Sequence, residues 1–218
     1  MSFKNYNFIL LAGGQSTRFG KNVNKTTINF RDKPLILNII DKLIFIGFTN
    51  ITVVYSKNNK SHFKEYVKKC KLIKGGETRS LSVKNAIKNS KSKFTIVHDL
   101  ARPLLNEKTI LDIIKNLKIG YSCVIPYSDV TDTVLLNNKN IDRKKVKLIK
   151  TPQGFVTKTL KELHSKNKDT NITDDSELIR KSNKKYKIKY IKEKNENFKL
   201  TVKEDSIKLK YHEFKNIK

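Results

Sequence analysis

Apolar positions follow two alternating rhythms along the chain. Residues 8–12 (FILLA), 51–55 (ITVVY), 94–98 (FTIVH) and 122–126 (SCVIP) are short, largely apolar runs. Runs of this length, β-branched and bounded by turn residues, predict buried strands. Residues 34–48, 61–69, 80–89 and 107–117 instead carry apolar side chains at helical spacing, the first opening on Pro34 in an N1-like position. Strands alternating with helices predict an α/β fold, a mostly parallel sheet with helices on both faces. The rhythm breaks between residues 127 and 151. There, residues 133–136 and 146–149 are β-rich and flank a polar Asn/Lys stretch, which predicts an extended arm or hairpin. It resumes with helices at 156–165 and 175–182, a strand at 187–191 and a last helix at 203–214. With no internal repeat, the expectation is one domain over residues 1–218 with a β-arm, 127–151, inserted in it.

Charge changes the picture. The 218 residues hold 47 Lys+Arg against 20 Asp+Glu, a formal net charge of +27. Such an excess invites a nucleic-acid reading. The lysines, however, run along the whole chain rather than in one stripe, and they rise together with Asn and Ile, as A/T-rich codons dictate. A basic nucleic-acid-binding protein is therefore kept as the rival class, and no specific nucleic acid is expected as partner. A solvated basic surface still draws anionic ligands. No apolar run approaches the ~18 residues of a membrane span. Residues 8–12 are too short for a secretory h-region. Cys70 and Cys123, 53 positions apart, form neither a disulfide framework nor zinc spacing, and the four histidines show no metal pattern. A cytoplasmic protein is expected.

Three segments carry candidate chemistry. In the first, residues 11–20 read LAGGQSTRFG and Lys25 follows. Glycines directly after a strand let backbone N–H groups cup phosphate oxygens, and Arg18 and Lys25 in the same loop can neutralise a polyphosphate. The spacing fits neither a Walker A loop nor a G-x-G-x-x-G fingerprint. The second, residues 75–82 (GGETRSLS), places two glycines before a helix, where backbone donors meet a base edge or phosphate, with Arg79 and Ser82 in the first turns. The third is residues 98–103 (HDLARP), with Asp99 at the end of a strand, where open α/β sheets form their ligand crevice. Each alone also fits an ordinary turn or cap, and Asp174 and Asp175 read mainly as helix-start residues. Only six of the 47 basic residues are Arg, and four of them (Arg18, Arg79, Arg102, Arg143) fall in motif segments, which hints at a need for the planar fork.

Taken in order, LAGGQSTRFG…K, GGETRSLSV, HDLARP, the DT pair at 132–133, Arg143, TPQ at 151–153, TDD at 173–175 and NFKLTVKED at 197–205 resemble the 2-C-methyl-D-erythritol 4-phosphate cytidylyltransferase family of the non-mevalonate isoprenoid pathway. That resemblance implies a Rossmann-like nucleotidyltransferase domain whose β-arm clasps a second subunit. It implies transfer of CMP from CTP to the sugar-alcohol phosphate with release of pyrophosphate, with magnesium held mainly by the CTP phosphates and not by a protein metal site. Arg18, Lys25 and Lys199 are implied as catalytic residues around the phosphates. Ala12, Gly13, Gly14, Gly76, Glu77, Arg79, Ser82 and Asp99 are implied as the CTP site. Thr133, Arg143, Thr151 and Thr173 are implied to hold the methylerythritol phosphate, the first two from the neighbouring subunit. Ribitol-5-phosphate cytidylyltransferase shares the loop and the reaction and is the nearest rival enzyme; Ala101 before Arg102-Pro103 argues against it. Leu100 stands where the family usually has Ala and is expected to crowd the ribose crevice. Leu135 stands in place of a Lys, and Asn24 in place of a Pro.

Overall fold

The computed structural model of the chain describes residues 2–14, 28–30, 32–56, 63, 69–169, 171–193 and 197–215, the last three as backbone. In chain order the elements are β1 (Tyr6–Leu11), two-residue strands β2 (Asn29–Phe30) and β3 (Lys33–Pro34), α1 (Leu35–Ile46), β4 (Ile51–Tyr55) and β5 (Lys71–Lys74). There follow α2 (Arg79–Ile87), β6 (Phe94–Asp99), α3 (Glu107–Lys118), β7 (Cys123–Asp129), β8 (Val134–Leu136), β9 (Lys139–Ile141) and a 3-10 turn (Arg143–Lys145). The chain continues with β10 (Lys147–Ile149), β11 (Gln153–Val156), α4 (Thr157–Lys166), α5 (Ser176–Arg180), β12 (Ile188–Lys192) and α6 (Asp205–Lys215).

The predicted apolar runs become the centre of an eight-stranded sheet. Its order runs β5-β4-β1-β6-β11-β7; β12 pairs with β7, as does β10, the segment just before β11. β5, β4, β1 and β6 are parallel, and β12 is parallel to β7. β11 runs antiparallel to both of its neighbours, so β6 and β7 point the same way. Both faces of the central strands are buried, which is why they read as continuous runs and not as alternation. Phe8, Leu10, Ile51, Val53, Phe94 and Ile96 pack with α1 and α3 on one face. Ile9, Val54 and Val97 pack with α2, α4 and α5 on the other. The polar residues left inside pair with each other: Thr52 Oγ1 donates to Asn7 Oδ1 (2.9 Å), and the Thr95 and Thr157 hydroxyls lie 2.8 Å apart.

Besides the two-residue β2 and β3, three strands depart from the predicted pattern. β11 carries Gly154, where an added Cβ would lie 2.3 Å from Ile113 Cγ2 and 3.0 Å from Leu117 Cδ1. The missing side chain lets α3 lie directly on the sheet, but it also removes the apolar signal of a strand. β5 is an edge strand with exposed lysines at both ends. β9 lies in the polar Asn/Lys stretch and pairs with β8, whereas β10 pairs with β7. Within the segment read as an extended arm or hairpin, the structure forms a tight hairpin of 134–136 with 139–141. The cause is local: Asn137 (φ 49°) and Asn138 (φ 62°) both adopt left-handed backbone, as a two-residue primed turn requires. Most of the helix expected at 61–69 lies outside the described residues.

Candidate active site

The parallel strands deliver their carboxyl ends to one edge. Leu11 is in register with Asp99 on one side and Val54 on the other, so the Ala12-Gly13-Gly14 backbone leaves β1 beside Asp99. Ala12 N donates to Val54 O (2.9 Å) and Leu100 N to Leu11 O (3.1 Å). The second glycine loop follows β5 at the same edge. Gly75 N donates to Tyr55 O (2.8 Å), and Gly76 N donates to Ser82 Oγ (3.1 Å). A Cβ on Gly76 would lie 2.4 Å from Leu81 Cβ and 3.1 Å from its carbonyl carbon, so only glycine fits against the start of α2. Thr78 caps that helix, its Oγ1 accepting from Leu81 N (3.2 Å), and sets Arg79 as the first helical residue. Glu77 sits exposed on the loop.

Asp99 is the centre of a chain of charges. Arg79 Nε donates to its Oδ1 (3.1 Å) and Lys199 Nζ to its Oδ2 (2.8 Å). Arg79 Nη1 reaches on to Asp175 Oδ2 (2.6 Å), and Asp175 Oδ1 accepts from His164 Nε2 (3.1 Å). Burial alone raises a carboxyl pKa, but the Arg79 and Lys199 cations outweigh it and hold Asp99 well below the ordinary carboxylate range. Burial opposes the charge of Asp175 too, and Arg79 with His164 overcomes it. Arg79 is affected in reverse: burial lowers its pKa, and the two aspartates more than restore it. Arg79 and both aspartates are therefore ionised at neutral pH.

A second, largely neutral network holds the backbone beneath Asp99. His98 Nε2 faces the Arg102 carbonyl (2.9 Å), which can only accept, so the ring proton sits on Nε2. His98 Nδ1 then accepts from the Thr151 hydroxyl (3.1 Å), whose oxygen in turn accepts from Asp99 N (3.1 Å). The only proton of the Thr151 hydroxyl is thereby committed inside the protein. Complete burial pushes the His98 pKa down to about 4, keeping the ring neutral. Asn197 ties this network to the Lys199 segment: its Nδ2 donates to Thr151 O (2.8 Å) and Glu193 Oε2 (2.9 Å), and its backbone carbonyl accepts from Arg102 Nη1 (2.9 Å).

The structure brings Asp99, Arg79, Lys199 and Thr151 into direct contact, with Ala12, Gly13, Gly14, Gly76, Glu77 and Ser82 on adjoining strand ends and loops. Thr173 is exposed, its N–H and hydroxyl bonded to Glu177 Oε2, two residues from Asp175. Thr133 and Arg143 are separate from this group, on the hairpin segment, where Arg143 Nη1 donates to Thr131 O. Arg18 and Lys25 lie outside the described residues. Leu100 does not crowd the crevice: its side chain turns into the core with α1 and α3. The sequence pattern hints at Arg102 by its rarity and names none of Asp175, Asn197, His98 or His164 as site residues. Their one shared signal is position, since each lies in or beside a motif segment or on a neighbouring helix.

A family model described as 2-C-methyl-D-erythritol 4-phosphate cytidylyltransferase, IspD, matches residues 7–211. The chain belongs to the IspD family. It is 41% identical over 207 residues to the bifunctional enzyme IspD/IspF of Pelagibacter ubique, covering 91% of this chain and 55% of that protein. The solved bifunctional IspDF of Campylobacter jejuni superposes with a TM-score of 0.83 at 35% identity, covering 93% of this chain and 53% of that one. The chain thus spans about half the length of these IspD relatives. A 2-C-methyl-D-erythritol 4-phosphate cytidylyltransferase from Thermus thermophilus shares the fold over 98% of this chain and 99% of its own, with a TM-score of 0.81 at 19% identity.

Proposed function

We propose that this chain transfers CMP from CTP to 2-C-methyl-D-erythritol 4-phosphate, releasing pyrophosphate. The observation that carries this reading is the meeting of Asp99, Arg79 and Lys199 with the ends of two glycine loops at one sheet edge, in a chain of the IspD family. The attacking group is a phosphate oxygen that is already anionic, so no general base is needed. The task is to bring two anions together, align them, and neutralise charge growing at the α-phosphorus. Lys199, with Arg18 and Lys25 from the glycine loop in this reading, supplies the cations for that task, and the buried, neutral His98 takes no part in it.

In this reading the backbones of Ala12, Gly13 and Gly14, with Gly76, Glu77 and Ser82, meet the cytosine, and Asp99 accepts from the ribose. Asp99 first has to free an oxygen. Lys199, with 44% of its side chain exposed against 21% for Arg79, is the partner able to leave, and it then joins Arg18 and Lys25 on the phosphates. Both Asp99 oxygens are engaged by cations, and no cluster of three His, Cys, Asp or Glu suited to a metal occurs among the described residues. This donor set suits magnesium arriving as the CTP complex, coordinated by phosphate oxygens and water. Thr173 serves the alcohol phosphate. Thr151, whose hydroxyl proton is spent on His98, serves by fixing the Asp99 backbone. Thr133 and Arg143 reach the site of a second subunit through the 127–151 arm of a homodimer. No helix among the described residues is long and apolar enough to cross a membrane, in keeping with a cytoplasmic enzyme.

The test is pyrophosphate release with each of four nucleoside triphosphates against 2-C-methyl-D-erythritol 4-phosphate and ribitol 5-phosphate. CTP with the first alcohol is expected to be fastest, because backbone groups that recognise a pyrimidine edge are left unpaired by a wrong base. Equal rates with GTP, or faster reaction of ribitol 5-phosphate, would replace this reading.

A further inference from the structure

We propose that Asp175 is a positioning residue for the nucleotide ribose, acting through Arg79 to keep Asp99 open to the sugar hydroxyls. This inference rests on the CTP reading above and adds to it a residue outside the crevice.

Asp175 is fully buried at the start of α5, where its side chain makes no capping hydrogen bond. The helix start therefore does not account for it. Its neighbour Asp174 takes the local partners, bonding the Ser176 hydroxyl, Arg180 Nη2 (3.2 Å) and Gln153 Nε2 (3.3 Å). Asp175 instead spends one oxygen on Arg79 Nη1 (2.6 Å) and the other on His164 Nε2 (3.1 Å). A buried carboxylate that serves no cap is costly unless its partners need it.

The need is visible in Arg79. A guanidinium free to choose grips one carboxylate with two parallel N–H groups. Arg79 does not: Nε goes to Asp99, Nη1 goes to Asp175, and Nη2 is buried without a partner. Asp175 thus pulls the guanidinium away from a two-point grip on Asp99. Only Oδ1 of Asp99 is held by Arg79, and Oδ2 is held by the more exposed Lys199. Loss of the Asp175 charge lets Arg79 turn onto both Asp99 oxygens, and the carboxylate is then closed to the ribose. His164, on α4, fixes Asp175 from behind.

The experiment measures calorimetric affinity for CTP and for 2′,3′-dideoxy-CTP in the wild-type chain and in Asp175→Asn, with urea unfolding and circular dichroism to verify the fold. The wild type is expected to prefer CTP at least tenfold, and the variant to bind both nucleotides within twofold of each other. A general structural defect weakens both nucleotides in proportion and leaves the preference intact. A folded Asp175→Asn that keeps the tenfold preference overturns the inference while CTP binding by the wild type stands. A wild type that binds no CTP removes the functional reading, and this inference with it. Should Asp175→Asn not fold, the same ratio is measured in His164→Leu, which strips Asp175 of its other partner. A preference reduced at least threefold there supports the role, and a wild-type preference overturns it.

Discussion

At the scale of single residues, burial sets which groups respond to pH. His98 is wholly buried, and its pKa falls from 6.5 to about 4. Between these values the unfolded chain binds a proton that the folded chain refuses, so stability falls as pH drops through that window. The full shift corresponds to about 3 kcal/mol. Glu193 has the opposite sign: burial raises its folded pKa, so the folded state takes its proton first and gains stability as pH falls. Asp99 and Asp175, depressed when folded, lose their contribution only below the ordinary carboxylate range. Urea unfolding of wild type and His98→Gln, compared from pH 7.5 to 4, should therefore show about 3 kcal/mol more acid destabilisation in the wild type. Parallel curves would mean that folding leaves the His98 pKa unchanged. At this scale the sequence was readable where a residue type is rare. Arg79 and Arg102 stood out against a lysine background, and the structure uses both to join distant segments, Arg79 through two nitrogens and Arg102 through Nη1. Arg180 carried no such signal although it too binds an acidic partner, Asp174, because a short-range ion pair leaves no pattern around it.

At the scale of elements, the helices and buried strands were legible because each depends on its own apolar spacing. The exceptions are elements whose reason lies in a neighbour. β11 exists because Gly154 leaves room for α3. Gly154→Ala should push Ile113 and Leu117 outward and cost roughly 1–3 kcal/mol, the usual range for overpacking a close contact. The check is a urea midpoint. An unchanged midpoint would show that α3 absorbs a methyl group without strain. The segment of β8 and β9 was legible as extended or hairpin chain, but its pairing was not. Its strands are polar and exposed, so the two left-handed asparagines set the register in place of an apolar face.

At the scale of the whole molecule, Leu135 and Leu136 on the hairpin are exposed. If the arm reaches into a second subunit, Arg143 and Lys25 of different chains share one site. Mixed Arg143→Ala and Lys25→Ala subunits should then recover about half the wild-type rate per heterodimer, since one site carries both defects and the other neither. Tandem purification on two tags verifies that heterodimers formed. A verified heterodimer as inactive as either homodimer would place Arg143 in its own subunit's site and leave the transferase reading untouched. The sequence by itself determined the α/β rhythm, because strands buried on both faces and helices buried on one must write their apolar positions locally. It also determined the family, through the order of its motif segments. The tertiary structure alone decided which charges meet. Arg79 and Asp99 are 20 positions apart, Arg79 and Asp175 are 96 apart, and Lys199 and Asp99 are 100 apart. No local spacing encodes such contacts. They follow from the sheet order, which brings the carboxyl ends of β1, β5 and β6 to one edge, and from the docking of α5 and the Asn197–Lys199 segment against it.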